Sequence, residues 1–303
     1  MREPDGPAEP ERALRWGIER RLEFIDFRLY WEGRINRSDI MRAFALSVQQ
    51  ASADIAQYQK LAPDNLVYDR SAKRYLAAPA YQPVFKVDDS GRYLAQLRSL
   101  AENLIQVEES WLAEIPRFLT LPLPSRPIPA ATLRAVITAI REKCALEVRY
   151  QSMSRPEPMW RWIAPHALGF DGLRWHVRAF CHLDGFFKDF VFARVHEIGA
   201  SRPETIDPAT DRAWFETVPV VIAPHPDLSA AQRRTIALDY GMADSVRVIQ
   251  VRRAFLYYFL KRLQLDDQAP DRAPAEQQIV LANKTEVLAA LTADRHTASV
   301  ARG

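Results

Sequence analysis

This chain of 303 residues is short of cysteine, with two, and of glycine, with ten. Cys144 and Cys181 lie far apart, so neither a disulfide framework nor a thiolate metal cluster is expected, and both read as small buried apolar residues. The glycines form no Gly-x-Gly-x-x-Gly and no phosphate loop, and there is no Gly-x-Ser-x-Gly elbow and no His-Glu-x-x-His pair. Catalysis therefore has no support in the sequence. A zinc site drawing on Cys181 and His182 lacks ligand spacing, and no motif asks for a cofactor. No run reaches the roughly 18 apolar residues of a membrane span, and no apolar segment follows the charged start as a signal peptide requires. A soluble, cytoplasmic protein is expected. No internal repeat is found, and a net charge of +3 is too slight to name a partner.

What is there suffices for two or three domains, since 48% of the residues are apolar. Met1–Glu11, with three prolines and several charges, reads as a disordered leader. From Arg12 to about Trp31, Leu14, Ile18, Leu22, Ile25 and Leu29 recur at helical spacing, with Arg15, Glu19, Glu23 and Asp26 on other faces. Gly33 ends that helix. Asn36 can cap a second, short helix with Asp39 in its first turn. Ser47-Val48-Gln49-Gln50 has capping-box spacing for a third helix running to about Leu61. On it Val48, Ala51, Ile55 and Tyr58 face inward, leaving Gln49, Gln50, Ala53, Gln57 and Lys60 outward. Leu66–Tyr68, a polar turn at Asp69–Ala72 and Lys73–Leu76 then read as a hairpin.

Three helices followed by a hairpin is the order of a winged helix-turn-helix, whose third helix enters the major groove of DNA while the wing reaches a neighbouring groove or backbone. Between Arg34 and Lys86 eight Lys/Arg stand against four Asp/Glu, which supports a phosphate-facing surface. Glutamine amides can pair with adenine edges and an exposed alanine leaves room for a thymine methyl, so base readout is assigned to Gln49, Gln50, Ala53 and Gln57. Phosphate contacts are assigned to Arg34, Arg37, Arg42, Arg70, Lys73 and Arg74; the last three read equally as an ordinary charged turn.

Arg92–Ile115 is expected as one helix linking this module to the rest. Five prolines within Pro116–Pro129 mark a boundary. Ala130–Lys143 reads as a helix and Ala145–Tyr150 as a strand. Beyond it, alternation places Trp175, Val177 and Ala179 on one face of a strand and His176, Arg178 and Phe180 on the other, with a turn at Phe170-Asp171-Gly172. The pattern Arg-x-Ile-x-Pro-His-x-Leu from Arg161 to Leu168, followed by Trp175-His176-Val177, resembles the WYL domain, an Sm/SH3-like barrel of bacterial regulators. Histidine 176 stands where the family's name has tyrosine, which puts a titratable group at that position.

That resemblance implies a ligand pocket lined by Tyr150, Ser152, Ser154, Arg161, His166, Arg178 and Arg194, the positions matching the family's polar lining. Arginine forks suit a phosphate, and Trp160, Trp162 and Trp175 are candidates to stack on a base or to fill the core. After a second boundary at Pro203–Asp211, a strand at Val218–Ile222, a helix at Ser229–Tyr240, a strand at Ser245–Val251 and a helix at Ala254–Leu265 resemble the C-terminal extension that helps such regulators dimerise. The wing Asn65–Tyr75 and the segment Ala223–Arg234 are closest to compact WYL regulators associated with BREX and CBASS phage-defence islands.

The fold class expected is therefore α+β multidomain: a winged helix-turn-helix over 12–90, a helical linker over 91–129, a WYL barrel over 130–202 and a small α/β dimerisation domain over 203–303. The resemblance implies a homodimeric transcriptional repressor on an inverted repeat of double-stranded DNA, modulated by a nucleotide or oligonucleotide effector. An activator, and a nucleic-acid-sensing adaptor of a partner enzyme, are the alternatives.

Overall fold

The computed structural model describes residues 9–266 and 272–300, and the chain divides into two compact units, Met1–Pro122 and Leu123–Gly303. Apart from Glu9–Glu11, which open the first helix, the expected leader lies outside the described residues.

In the first unit, α1 (Glu9–Glu32) is buried on more of its circumference than its heptad-like spacing suggests. Phe24 and Phe27 join Leu22, Ile25 and Leu29 in the core, and Asp26, expected outside, is fully buried. The reason is a set of donors that converge on its carboxylate. The hydroxyls of Tyr58 and Tyr81 (2.8 Å for Tyr81) and the backbone amides of Val84 and Phe85 (both 2.8 Å) donate to it. A buried charge is tolerated when its lone pairs are met in this way. Burial, reinforced by the Asp26 carboxylate, pushes both tyrosine hydroxyls above their ordinary range.

Gly33, at φ +68°, turns the chain out of α1 into a short strand β1 (Arg34–Ile35), which the sequence did not announce. Asn36 and Asp39 form a reciprocal capping box on α2 (Arg37–Phe44), closed by Ala45 in the left-handed region. Ser47 Oγ accepts from the Gln50 amide at 3.2 Å to start α3 (Val48–Leu61). The expected reciprocal half is replaced: the Gln50 side chain donates to buried Asp54 (3.0 Å), which Arg21 also holds at 2.7 Å. Ala51, Ile55 and Tyr58 face the core as expected, but Val48, at the first turn, is half exposed.

The wing is β2 (Leu66–Asp69) and β3 (Arg74–Ala77), paired antiparallel from Leu66 against Ala77 to Asp69 against Arg74, with β1 on the other edge of β3. Asp69 Oδ1 accepts from the amides of Ser71 and Ala72 and so shapes the turn. At the wing's root, buried Asn65 donates to the Tyr58 hydroxyl (3.0 Å) and to the Gln82 carbonyl (2.7 Å) and accepts from the Gln82 amide (3.1 Å).

The helix expected over Arg92–Ile115 is shorter. Asp89 caps α4 (Ser90–Ala101), and Asn103 at φ +54° takes the chain out of helical geometry before a 3-10 turn at Val107–Glu109. Asparagine tolerates that conformation better than most residues.

In the second unit, α5 (Ala130–Glu142) packs Val136 and Ala139 on a five-stranded antiparallel sheet. Its strands are β4 (Cys144–Tyr150), β5 (Met159–Phe170), β6 (Trp175–Cys181), β7 (Phe186–Val191) and β8 (Val195–Pro203), in the order β7-β6-β5-β4-β8. The ladders leave β7 and β8 as the two ends, with no pairing between them among the described residues. Val177 and Ala179 enter the core as the alternation predicts, with Cys181 beside them. Trp175, expected on that face, lies at the strand's open end, 49% exposed, with its ring 4.9 Å from that of Phe170.

A one-turn helix α6 (Arg212–Phe215) leads to a second sheet, β10-β9-β11, made of β9 (Thr217–Pro224), β10 (Arg247–Arg252) and β11 (Ile279–Leu281). Helices α7 (Ala230–Asp239), α8 (Leu256–Arg262) and α9 (Lys284–Val300) accompany it, and Val220, Ile222, Ile236, Leu256, Leu260 and Val287 form its core. No helix among the described residues is long and apolar enough to cross a membrane.

Candidate DNA-reading surface and ligand cavity

On α3, Gln49, Gln50, Ala53 and Gln57 are all exposed, and the four-residue steps from 49 to 53 to 57 put three of them in one row. Gln50 is partly committed, because its amide nitrogen is spent on Asp54. Arg37, exposed at the start of α2, reaches Ser52 on α3 at 3.5 Å and so flanks the row. Arg42 is exposed in the last turn of α2, and Arg70 and Lys73 are exposed at the wing tip. Arg34 pairs with Glu114, and Arg74 is half buried with its Nε enclosed. The exposed cations thus sit on α2, where Arg37 reaches α3, and at the wing tip.

The seven WYL-like positions do not share one cavity. Tyr150 is buried, its hydroxyl accepting from the Val191 amide (3.1 Å) and its ring edge-on to Phe190. Ser152 and Ser154 bond each other at 2.7 Å in the β4–β5 turn. Arg161 is buried, with Nη1 3.7 Å from Asp184 and its guanidinium over the Tyr150 ring. Arg194 is half buried in the 3-10 turn after β7.

His166 and Arg178 do meet, and they meet on a residue the sequence reading treated as boundary. Arg178 donates Nε to Asp211 Oδ2 (2.7 Å) and Nη2 to Oδ1 (2.8 Å), while His166 Nε2 lies 2.9 Å from Oδ2. The third arm, Nη1, reaches Asp189 at 3.1 Å. Arg178 and Asp211 are buried, and neither local pattern nor spacing links positions 178 and 211.

Beside this cluster lies a cavity of about 730 Å³ between the β6–β7 face and the C-terminal segment. Arg178, Lys188, Phe187, Asp211, Arg212 and Tyr257 are among its walls. Arg178 is the one of the seven expected ligand residues that lines it. His176 does not: it is buried, bonded to Asp171 at 2.9 Å, with Tyr258 and Phe255 packed on its ring. Nor do the tryptophans fill the core, for Trp160 and Trp175 are exposed and Trp162 packs under the Arg202 guanidinium.

The electrostatics follow from burial and pairing. Burial works to raise Asp211, but the Arg178 hydrogen bond, aided by His166, holds it down to about 2. Asp189 goes the other way, since burial outweighs Arg178 and raises it. Burial, with Asp189 close by, pushes the Tyr258 hydroxyl up. Among the described residues no group of His, Cys, Asp and Glu is arranged to hold a metal.

A capped helix-turn-helix with a basic wing, followed by a WYL-type sheet domain and a small α/β domain, defines a winged-helix transcription regulator. The comparisons agree domain by domain. Residues 17–99 match the BrxR transcriptional regulator winged helix-turn-helix domain, 131–199 the WYL domain, and 217–287 the BrxR transcriptional regulator C-terminal dimerization domain. The chain is 44% identical over 285 residues to the DNA-binding transcriptional repressor CapW of Stenotrophomonas maltophilia, covering 93% of this chain and 95% of that one. It is 40% identical over 289 residues to CapW of Escherichia coli (92% and 94%) and 41% identical over 287 residues to CapW of Pseudomonas aeruginosa (93% and 95%). The chain belongs to the CapW family of DNA-binding transcriptional repressors, which is not a family of enzymes.

Proposed function

We propose that this protein is a sequence-specific DNA-binding repressor that acts as a homodimer on an inverted repeat, autoregulatory or controlling a phage-defence operon. Its affinity is lowered by a nucleotide or oligonucleotide held beside Arg178. The observation that carries the reading is the exposed row Gln49, Ala53, Gln57 on α3, with Arg37 of α2 reaching Ser52 on the same helix and further exposed cations at Arg42 on α2 and at Arg70 and Lys73 on the wing. Those side chains supply amide pairs for base edges and point charges for phosphates. The dimerization-domain match over 217–287 supports the dimer, and two-fold symmetry in a regulator is matched by palindromy in its site.

The cavity supports the effector half of the reading. Arginine forks and lysine recognise phosphate, while Phe187 and Tyr257 offer ring faces for a base. A ligand there acts on DNA affinity only through a difference in its own affinity for two conformations. The test is a gel-shift titration on the duplex upstream of the gene against a scrambled duplex at two salt concentrations. Binding that survives the higher salt on the native duplex alone supports specific repression, because the phosphate contribution weakens steeply with salt. Equal, salt-sensitive binding to both would replace it with a general nucleic-acid surface.

A further inference from the structure

Asp211 fills the fork of Arg178 at the wall of the cavity. Both of its carboxylate oxygens accept from the fork of Arg178, at 2.7 and 2.8 Å, which is the two-pronged geometry by which arginine also binds a phosphate. His166 is a third partner at 2.9 Å, and the backbone amide of Trp214, at 3.3 Å, is a fourth. The group that meets these contacts is not part of the sheet domain. It belongs to the segment joining β8 to β9, where it also caps α6. The cavity opens beside it, with Arg212 and Lys188 unlike in position but alike in charge on its walls.

We propose that Asp211 is a built-in counter-anion of the ligand site, and that a phosphate-bearing effector takes Arg178 and His166 by displacing it, thereby uncapping α6 at the entrance to the C-terminal domain. This deepens, and rests on, the effector reading above. It explains how occupancy of the cavity reaches the C-terminal domain: the ligand and the residue that leads into that domain compete for the same two side chains, Arg178 and His166. Competition of this kind also sets affinity, since a site filled by its own carboxylate binds an effector only in the fraction of molecules where the carboxylate has left. Asp189, which keeps the third arm of Arg178, holds the guanidinium in place after the exchange.

The experiment is calorimetric titration of the full chain with 5′-phosphorylated dithymidylate, with the unphosphorylated dinucleotide and inorganic pyrophosphate alongside. The expected result is binding that requires the phosphate and that tightens about tenfold or more in Asp211→Asn, a change that keeps the size of the side chain and removes its charge. Adding Arg178→Gln to that variant abolishes it. A folded Asp211→Asn that binds no tighter than the unaltered protein overturns the proposal, as does the absence of anion binding by both. In case the variant fails to fold, amide exchange over 204–216 is followed in the unaltered protein with and without saturating dinucleotide. The Trp214 amide, which donates to the Asp211 carbonyl at 3.0 Å as well as to its carboxylate at 3.3 Å, exchanges faster as the uncapped turn frays; unchanged exchange at saturation overturns the proposal. Operator binding enters neither readout, so failure of the repressor reading shows separately in the ligand-free gel shift.

Discussion

The ring of Phe255 fills the space that a side chain at residue 169 would occupy: a Cβ on Gly169 would lie 2.0 Å from Phe255 Cζ. A glycine on β5 is thus the seat on which an aromatic of the C-terminal segment rests, and Arg262 closes on the neighbouring Asp171 carbonyl at 3.2 Å. Gly169→Ala forces Phe255 off that seat. The expected cost is about 1–3 kcal/mol, as for other overpacked interiors, read as a lower denaturant midpoint of the second unit, with Phe255→Leu in the same background restoring part of it.

Asp26 is the acceptor for two hydroxyls and two amides in the first unit. Asp26→Ala strands those donors, and the buried Tyr58 hydroxyl among them alone is worth about 1–3 kcal/mol when left unmet. Thermal unfolding of the variant should show the winged-helix unit melting well below the rest, and an unshifted transition would mean that water replaces the carboxylate.

The two kinds of DNA contact proposed above should separate by salt. Gln49→Ala combined with Gln57→Ala should cost about 1–3 kcal/mol per lost base pairing on the native operator and little on a scrambled duplex. Lys73→Ala should weaken both duplexes alike and reduce the salt slope by about 1. If the glutamine variant also binds both duplexes equally less well, its side chains touch the backbone rather than the bases.

Acid should act through Asp211. Its folded-state value near 2 lies below the ordinary carboxylate value of about 3.9, so the stabilisation it brings is present above that ordinary value and is lost as pH falls through about 2. The gap in thermal midpoint between the unaltered protein and Asp211→Asn should be constant from neutral pH to about pH 4 and close below it. A gap that persists to pH 2 would place the stabilisation elsewhere.

Much of the first unit could be read before folding because its signals are local. Asn36 and Ser47 cap within three residues, and Asp69 bends the wing tip through its immediate neighbours. Asp26 could not be read that way: its partners lie 32 to 59 residues ahead, and a carboxylate on a helix looks solvated until they arrive. The end of α4 was missed because Trp111 and Leu112 keep roughly helical spacing with Leu97 while packing from a segment that is not helical. In the ligand region, family likeness named seven positions, of which Arg178 lines the cavity and two, Arg178 and His166, share a partner. Their meeting point, Asp211, lies in a polar connector 33 residues away, where only three-dimensional proximity gives it a role.

Asn65 ties the last turns of α3, through Tyr58, to the chain just beyond the wing, through Gln82. Helix and wing are thereby gauged like the jaws of a fixed caliper. A duplex gripped by both must present its two contact points at one separation, and inserting a single base pair between them displaces one by about 3.4 Å along the axis and turns it around the helix. On the function proposed above, spacing within each half of the operator should therefore matter to binding alongside the bases themselves.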